Sequence, residues 1–533
     1  MNNAISLQRK VGQLLVIGFD GKSVPKHISE LIYQYQIGGI ILFGRNIGTP
    51  QEVLSLTTEL QREAKQAGYE YPLLICLDQE NGVVRRLGEG TTVFPGSMAI
   101  GATNNPNHAY EVGLATGKEL KALGINWNLA PVADVNNNPV NPVISVRSFG
   151  ESPEKVATFT KEAMKGMQDA GVVTTLKHFP GHGDTAVDSH LDLPVIPHTI
   201  NRLQAVELKP FTEAIKAGAD TIMTAHIYFP SIEDNPGVPA TLSQKVITGL
   251  LREQLGFQGV VTTDCMEMNA IANRIGTEKG AVAAIQAGVD LVMISHTQEK
   301  QQGAINEIIA SIKEGTIAEG VIDQSIKRIN TMKQKYLGWD EISLMETNPV
   351  VPNLVGSKQH QQLADQVYKE SVTVVRNDDM IPLLLSKDNS VLVVQPDNGT
   401  TMQVEDKRYA SLSLDKAIQE YHSLVDVYQV SKQMTEKEIS KIINKAKNYH
   451  TVIVGTSSIQ AGSTQITLIE KLIDNAIPVI VVAMRSPYDF NYLPKIPVYI
   501  NTYEFSFPAL QIAAGVIFGK VQVSGRSPVT LEM

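Results

Sequence analysis

Gly259-Val-Val-Thr-Thr-Asp264 is a short β-branched run that carries no charge until its last residue, where a carboxylate stands. Such a run reads as a strand buried on both faces that delivers one polar group at its carboxyl end. The same grammar recurs at 14–20, 37–43, 73–78, 125–134, 172–178, 221–226 and 290–296, with helical stretches between, such as 153–170 and 202–217. Eight runs in about the first 335 residues predict a (β/α)₈ barrel of TIM type. Asp20, Asp78, Asp134, His178, His226, Asp264 and His296 all fall at predicted carboxyl ends, which on a barrel open onto one mouth. Any one of them is equally a helix cap or turn residue; seven together point to a polar site.

Beyond residue 335 the pattern lapses into a polar, proline-containing stretch that includes Asn348-Pro-Val-Val-Pro352, read as a linker over 336–360. A helix is expected around 361–370. A second strand–helix series follows at 390–395, 425–430, 451–455, 479–483 and 498–501, which predicts a smaller, doubly wound, mostly parallel αβα sandwich over 361–533. Neither Gly455-Thr-Ser-Ser nor Asn398-Gly-Thr-Thr has the spacing of a phosphate-binding loop, so no nucleotide site is predicted and no cofactor is implied.

The chain has 533 residues, 43% hydrophobic and 19% charged, with a net charge of -9 and interspersed signs. That distribution offers no footprint for nucleic acid and suits a small, neutral, sugar-like ligand. Cys76 and Cys265 each sit in an apolar run and read as buried thiols. The amino terminus lacks a signal-peptide pattern and no run reaches membrane-spanning length, so a cytoplasmic location without membrane association is expected. Nothing in the sequence sets the oligomeric state, and a monomer fits it.

The densest chemistry lies in Lys177-His-Phe-Pro-Gly-His-Gly-Asp-Thr-Ala-Val-Asp-Ser-His190, a strand end that continues as a Gly/Pro-rich loop. It reads as a self-bonded loop, as a metal site using His178, His182, Asp184, Asp188 and His190, or as acid/base machinery. The spacing matches no standard zinc pattern, and no metal is assigned. In the third reading Asp188, two residues from His190, orients the imidazole for proton transfer, while Lys177 and His178 grip hydroxyls from the strand end. Asp264 brings a carboxylate to the mouth, and Asp78, Arg86 and Arg147 supply further groups able to bind hydroxyls or to pair with one another.

Taken together, Asp78-Gln-Glu, Lys177-His-Phe-Pro-Gly-His-Gly, Asp188-Ser-His190 and Thr263-Asp264 with Met268 resemble family 3 glycoside hydrolases, specifically the β-N-acetylglucosaminidase subgroup. The likeness extends over the barrel, and the second domain, ending in Ser524-Gly-Arg-Ser-Pro-Val529, resembles the αβα sandwich of two-domain members. The resemblance implies that Asp264 is the nucleophile of a retaining reaction and that His190, paired with Asp188, is general acid and then general base. It places Asp78, Arg86, Arg147, Lys177 and His178 on the hydroxyls of a terminal β-GlcNAc, from muropeptides or chitooligosaccharides. Two departures stand out. Asn81 occupies a position where the family commonly has Gly-Gly after Asp-Gln-Glu, and Cys265 follows the nucleophile. Asn tolerates left-handed backbone angles, so a turn at residue 81 is expected to survive. A phosphorylase of the same fold and a non-catalytic sugar sensor are the competing readings.

Overall fold

The computed structural model describes residues 6–342 and 349–532. Eight parallel strands close into a barrel in chain order: β1 (Leu15–Ile17), β2 (Gly39–Ile41), β3 (Leu74–Leu77), β4 (Trp127–Asn128), β5 (Val173–Phe179), β6 (Thr221–Thr224), β7 (Val260–Cys265) and β8 (Leu291–Ile294). Closure comes from β8 against β1, with Leu15 opposite Val292 and Ile17 opposite Ile294.

The strands alternate with period two although both faces are apolar. Val16, Leu74, Cys76, Val173, Val260, Leu291 and Met293 pack into the barrel interior around the buried Trp127. Leu15, Ile17, Ile75, Leu77, Leu176, Val261 and Val292 pack outward under the helices. The parity has a functional consequence. Continued two residues at a time, the inward set ends at Phe43, Asp78, Lys177, Asp264 and Ser295, and all five line one cavity.

The sequence reading was too generous for the fourth strand, which is two residues long. The stretch 202–217, read as one helix, is two, Ile200–Ala205 and Lys209–Lys216. Pro210 lies in the first turn of the second helix, where a missing N–H is harmless, and it could not continue the first.

The second sheet runs β11-β10-β12-β13-β14-β9, built from β9 (Thr373–Asn377), β10 (Val391–Pro396), β11 (Val425–Val430), β12 (Thr451–Thr456), β13 (Val479–Ala483) and β14 (Val498–Asn501). Five strands are parallel and match the expected series. The sixth, β9, pairs antiparallel with β14 and was not anticipated, since its burial is partial and its end is exposed. Alternate residues feed two cores, Leu392, Val394 and Val481 on one face and Val393, Ile453 and Val482 on the other, which makes the three-layer αβα sandwich.

The 336–360 stretch lies partly outside the described residues. The helix expected near 361–370 is Lys358–Ser371, and it joins the two halves. Its Ala364, Val367 and Tyr368 share a core with Phe94 and Ile100 of the barrel and Ala509 of the sandwich. The Tyr368 hydroxyl donates to Glu504, which also accepts from the Gly96 N–H at 2.7 Å.

Candidate active site

A cavity of ≈ 690 Å³ opens at the carboxyl ends of the barrel strands. Asp78, Arg86, Arg147, Lys177, His178, His190 and Asp264, all named from the sequence as candidate site residues, line it. Asp188 stands behind His190 instead. Of the seven polar strand ends, Asp78, His178, Asp264 and His296 reach the cavity. Asp20 points to solvent and pairs with Arg45 at 2.7 Å, while Asp134 and His226 are buried supports.

On one wall, five side chains form a line of alternating charge. Arg86 Nη2 lies 3.1 Å from Asp78 Oδ2, and Lys177 Nζ lies 2.7 Å from both Asp78 Oδ1 and Glu80 Oε1. Arg147 closes the line on Glu80 with two bonds of 2.7 and 2.9 Å. Burial alone would raise both carboxyls, but the neighbouring cations outweigh it and hold Asp78 far below its ordinary value and Glu80 at about 2. Glu80 was quoted in the sequence only as part of a motif and given no role. Its even-numbered position two beyond Asp78 was the signal that it shares that residue's side of the strand end.

The 177–190 loop is held by pairs that diverge. His178 Nδ1 meets Asp134 Oδ2 at 2.7 Å, and Asp134 also accepts the His182 N–H at 2.7 Å. His182 Nδ1 and Nε2 meet Thr185 and Ser189, and Asp184 pairs with His198 at 2.5 Å. The five ligands of the metal reading do not converge on one point: Asp188 and His190 pair with each other, and Asp184 lies instead with His198 and Glu207, their candidate ligand atoms within 4.8 Å of one another. Close approach also shapes the loop: a Cβ at Gly183 would lie 1.7 Å from the Val135 carbonyl oxygen. Elsewhere, Cys265, Glu267 and His296 bring candidate ligand atoms within 4.8 Å of one another. Glu267 there already accepts the backbone N–H groups of His296 and Thr297.

Asp188 Oδ1 accepts from both the His190 N–H, at 2.9 Å, and Nδ1, at 2.7 Å. This fixes the ring and directs the exchangeable proton to Nε2. Burial pulls the imidazole pKa down, but the Asp188 hydrogen bond and the charge of Asp264 outweigh it, so His190 titrates above its ordinary 6.5. Asp264, at the end of β7, accepts the Cys265 N–H at 2.7 Å. Burial would raise its pKa, but His226, His178 and His190 draw it below 3.8. The resting site thus combines a carboxylate with an imidazole biased toward imidazolium. Cys265 is the opposite case, its thiol pushed up to about 11 by burial, which leaves it protonated and inert as a nucleophile. Asn81 has φ 70°, the left-handed turn expected for it, and its amide donates to Thr116.

The second domain supplies the rest of the wall. Residues 403–408 line the cavity, Arg86 Nη1 donates to the Val404 carbonyl, and Arg408 donates to the carbonyls of Ile47 and Arg86. No sequence signal marked this segment, because nothing local says where it docks.

Residues 6–332 match the family described as glycosyl hydrolase family 3 N terminal domain. The chain belongs to glycoside hydrolase family 3 and is a glycosidase. It is 36% identical over 421 residues to β-hexosaminidase A of Pseudoalteromonas piscicida, covering 75% of this chain and 67% of that one. It is 35% identical over 291 residues to a β-hexosaminidase of Stenotrophomonas maltophilia, covering 54% of this chain and 84% of that one. Among solved structures, a family 3 β-N-acetylglucosaminidase from Paenibacillus sp. FPU-7 superposes with a TM-score of 0.92 at 40% identity, covering 99% of both chains. A β-glucoside phosphorylase shares the fold, with a TM-score of 0.81 at 23% identity.

Proposed function

We propose that the protein is a retaining exo-β-N-acetylglucosaminidase that releases terminal β-GlcNAc through a covalent glycosyl-enzyme on Asp264. The observation that carries this reading is that His190, held from behind by Asp188, shares one cavity with Asp264, a carboxylate of lowered pKa. Asp264 attacks the anomeric carbon while His190 Nε2 protonates the departing oxygen. The neutral imidazole then takes a proton from water as that water displaces Asp264, restoring the starting configuration. The names of the hexosaminidase relatives and of the Paenibacillus structure support the sugar. Asp78, Arg86, Arg147, Lys177 and His178 hold its hydroxyls in this reading, the ion line fixing their geometry before substrate arrives.

The proposed division is barrel 1–335, linker 336–360 and sandwich 361–533. Muropeptide or chitooligosaccharide fragments are the proposed source of substrate, met in the cytoplasm, with cell-wall recycling as the setting and no nucleic-acid or membrane partner. No helix among the described residues is long and apolar enough to cross a membrane.

Release of p-nitrophenol from its β-GlcNAc and β-glucose glycosides, with and without phosphate, tests the reading. Strong preference for the first, with free GlcNAc as product in both buffers, is expected. GlcNAc 1-phosphate in phosphate buffer would make the enzyme a phosphorylase, and no turnover would leave a sugar-binding protein. The pH profile is a second test. Because His190 titrates above its ordinary 6.5 and acts as the acid, kcat/KM is expected to fall as pH rises through that raised value. Asp264 titrates below 3.8, so the acidic limb lies under the ordinary carboxylate range. Asp188→Ala removes one of the two groups that together outweigh burial, so the alkaline limb should move to lower pH; an unmoved limb would detach it from His190.

A further inference from the structure

The sandwich order β11-β10-β12-β13-β14 reverses direction between β10 and β12, and open α/β sheets bind ligands beyond the carboxyl ends of the strands at such a point. A cleft of ≈ 390 Å³ lies there, large enough for a small metabolite. Its walls come from the ends of four strands: Pro396 of β10, Lys432 just past β11, Ser457 and Ser458 just past β12, and Arg485 just past β13. Residues 139–142 and Ser145 of the barrel close the other side.

Three observations define what the cleft would hold. Arg485 lines it yet is only 1% exposed; its Nη2 pairs with Glu405, and its Nη1 has no acceptor among the described residues. A buried guanidinium donor without a partner costs free energy unless an anion meets it. Ser463, the N-cap of the Thr464–Asp474 helix, also lines the cleft, so the positive end of an eleven-residue helix is presented to it. Finally, no aspartate or glutamate is among the described lining residues, although the chain carries a net charge of -9. Neutral sugars present hydroxyl donors and are usually met by carboxylates. A wall of lysine, arginine, amides and hydroxyls without a carboxylate is complementary to an acceptor-rich oxyanion.

We propose that this cleft is a second ligand site that takes a small phosphate-bearing molecule, held by Arg485, Lys432 and the amino end of the Thr464–Asp474 helix. The site is separate from the catalytic cavity and owes nothing to the reading of that cavity. The two are neighbours through one ion pair, since Glu405, the partner of Arg485, lines the catalytic cavity.

Calorimetric titration of the full chain with inorganic phosphate, glucose 6-phosphate and glucose tests the proposal. Lys432→Glu reverses an exposed charge in the cleft, Ala461→Trp fills it, and Lys407→Glu reverses an exposed charge on the catalytic cavity instead. Both phosphates should bind the wild type, and Lys432→Glu and Ala461→Trp should each weaken them by about tenfold or more, while Lys407→Glu changes affinity by less than about twofold. Tighter binding of the ester than of inorganic phosphate would identify a phosphorylated metabolite as the occupant; equal binding would identify free phosphate. The proposal is overturned if neither phosphate binds, if glucose binds as well as glucose 6-phosphate, or if affinity follows Lys407 and not Lys432.

Discussion

Asp264→Ala is expected to lower kcat/KM on the p-nitrophenyl β-GlcNAc glycoside by about 10⁴-fold or more, with the fold intact. The size follows from its position. Asp264 stands at the end of β7, its Oδ1 fixed by the Cys265 N–H, and three histidines keep it ionised. Removing the nucleophile deletes the covalent route, whereas removing His190 deletes one proton transfer, worth about 10²–10⁴-fold. The space vacated by the carboxylate gives a sharper readout. Azide added to Asp264→Ala should restore part of the rate by attacking the anomeric carbon from the same side, yielding an α-glycosyl azide. Full activity in Asp264→Ala, or rescue giving the β-azide, would reject Asp264 as nucleophile.

Glu80→Ala should destabilise the chain by about 3–5 kcal/mol, because it leaves buried Lys177 and Arg147 side by side with no carboxylate between them. Both cations and Glu80 itself are almost wholly enclosed, with side chains 2% exposed, so solvent cannot take over the lost role. Glu80→Gln preserves the shape and should lose less. Urea denaturation at neutral pH measures both, and a loss in Glu80→Ala below about 1 kcal/mol would show that the line of charge is not a stabilising unit. The pH dependence has a definite sign. Glu80 titrates at about 2 in the folded chain against an ordinary 4.5, so its contribution is complete above 4.5 and is lost as pH falls toward 2. Glu80→Ala should therefore be less acid-sensitive than the wild type over that interval. If the substrate contacts proposed for Lys177 and Arg147 hold, KM should rise in both variants as these donors lose their fixed positions.

Several features were legible before any coordinates. A buried strand of a parallel barrel is an apolar run with a polar terminus, and runs such as 259–264 carry that signature without help from the rest of the chain. Asp188 and His190 are close in sequence, so their hydrogen bond is a local event that a single turn achieves. The turn at Asn81 is local too, set by the tolerance of asparagine for positive φ. By contrast, β9 pairs with a strand more than 100 residues away, and its half-exposed pattern has no meaning until β14 is beside it.

The eight barrel strands, five of the six sandwich strands and the class of fold were thus legible in the sequence alone, because periodicity and turn chemistry act over a few residues. Only the tertiary structure decided which polar strand ends face the cavity, turning Asp78, His178, Asp264 and His296 toward it and leaving Asp20 in solvent and Asp134 and His226 beneath. It also decided that residues 403–408 of the sandwich complete the cavity wall and that Arg485, paired with Glu405 through Nη2 but without an acceptor at Nη1 among the described residues, lines a second cleft. The physical reason is common to these cases: charge pairing and cavity lining depend on approach through space between segments from tens to hundreds of residues apart, which no local pattern encodes.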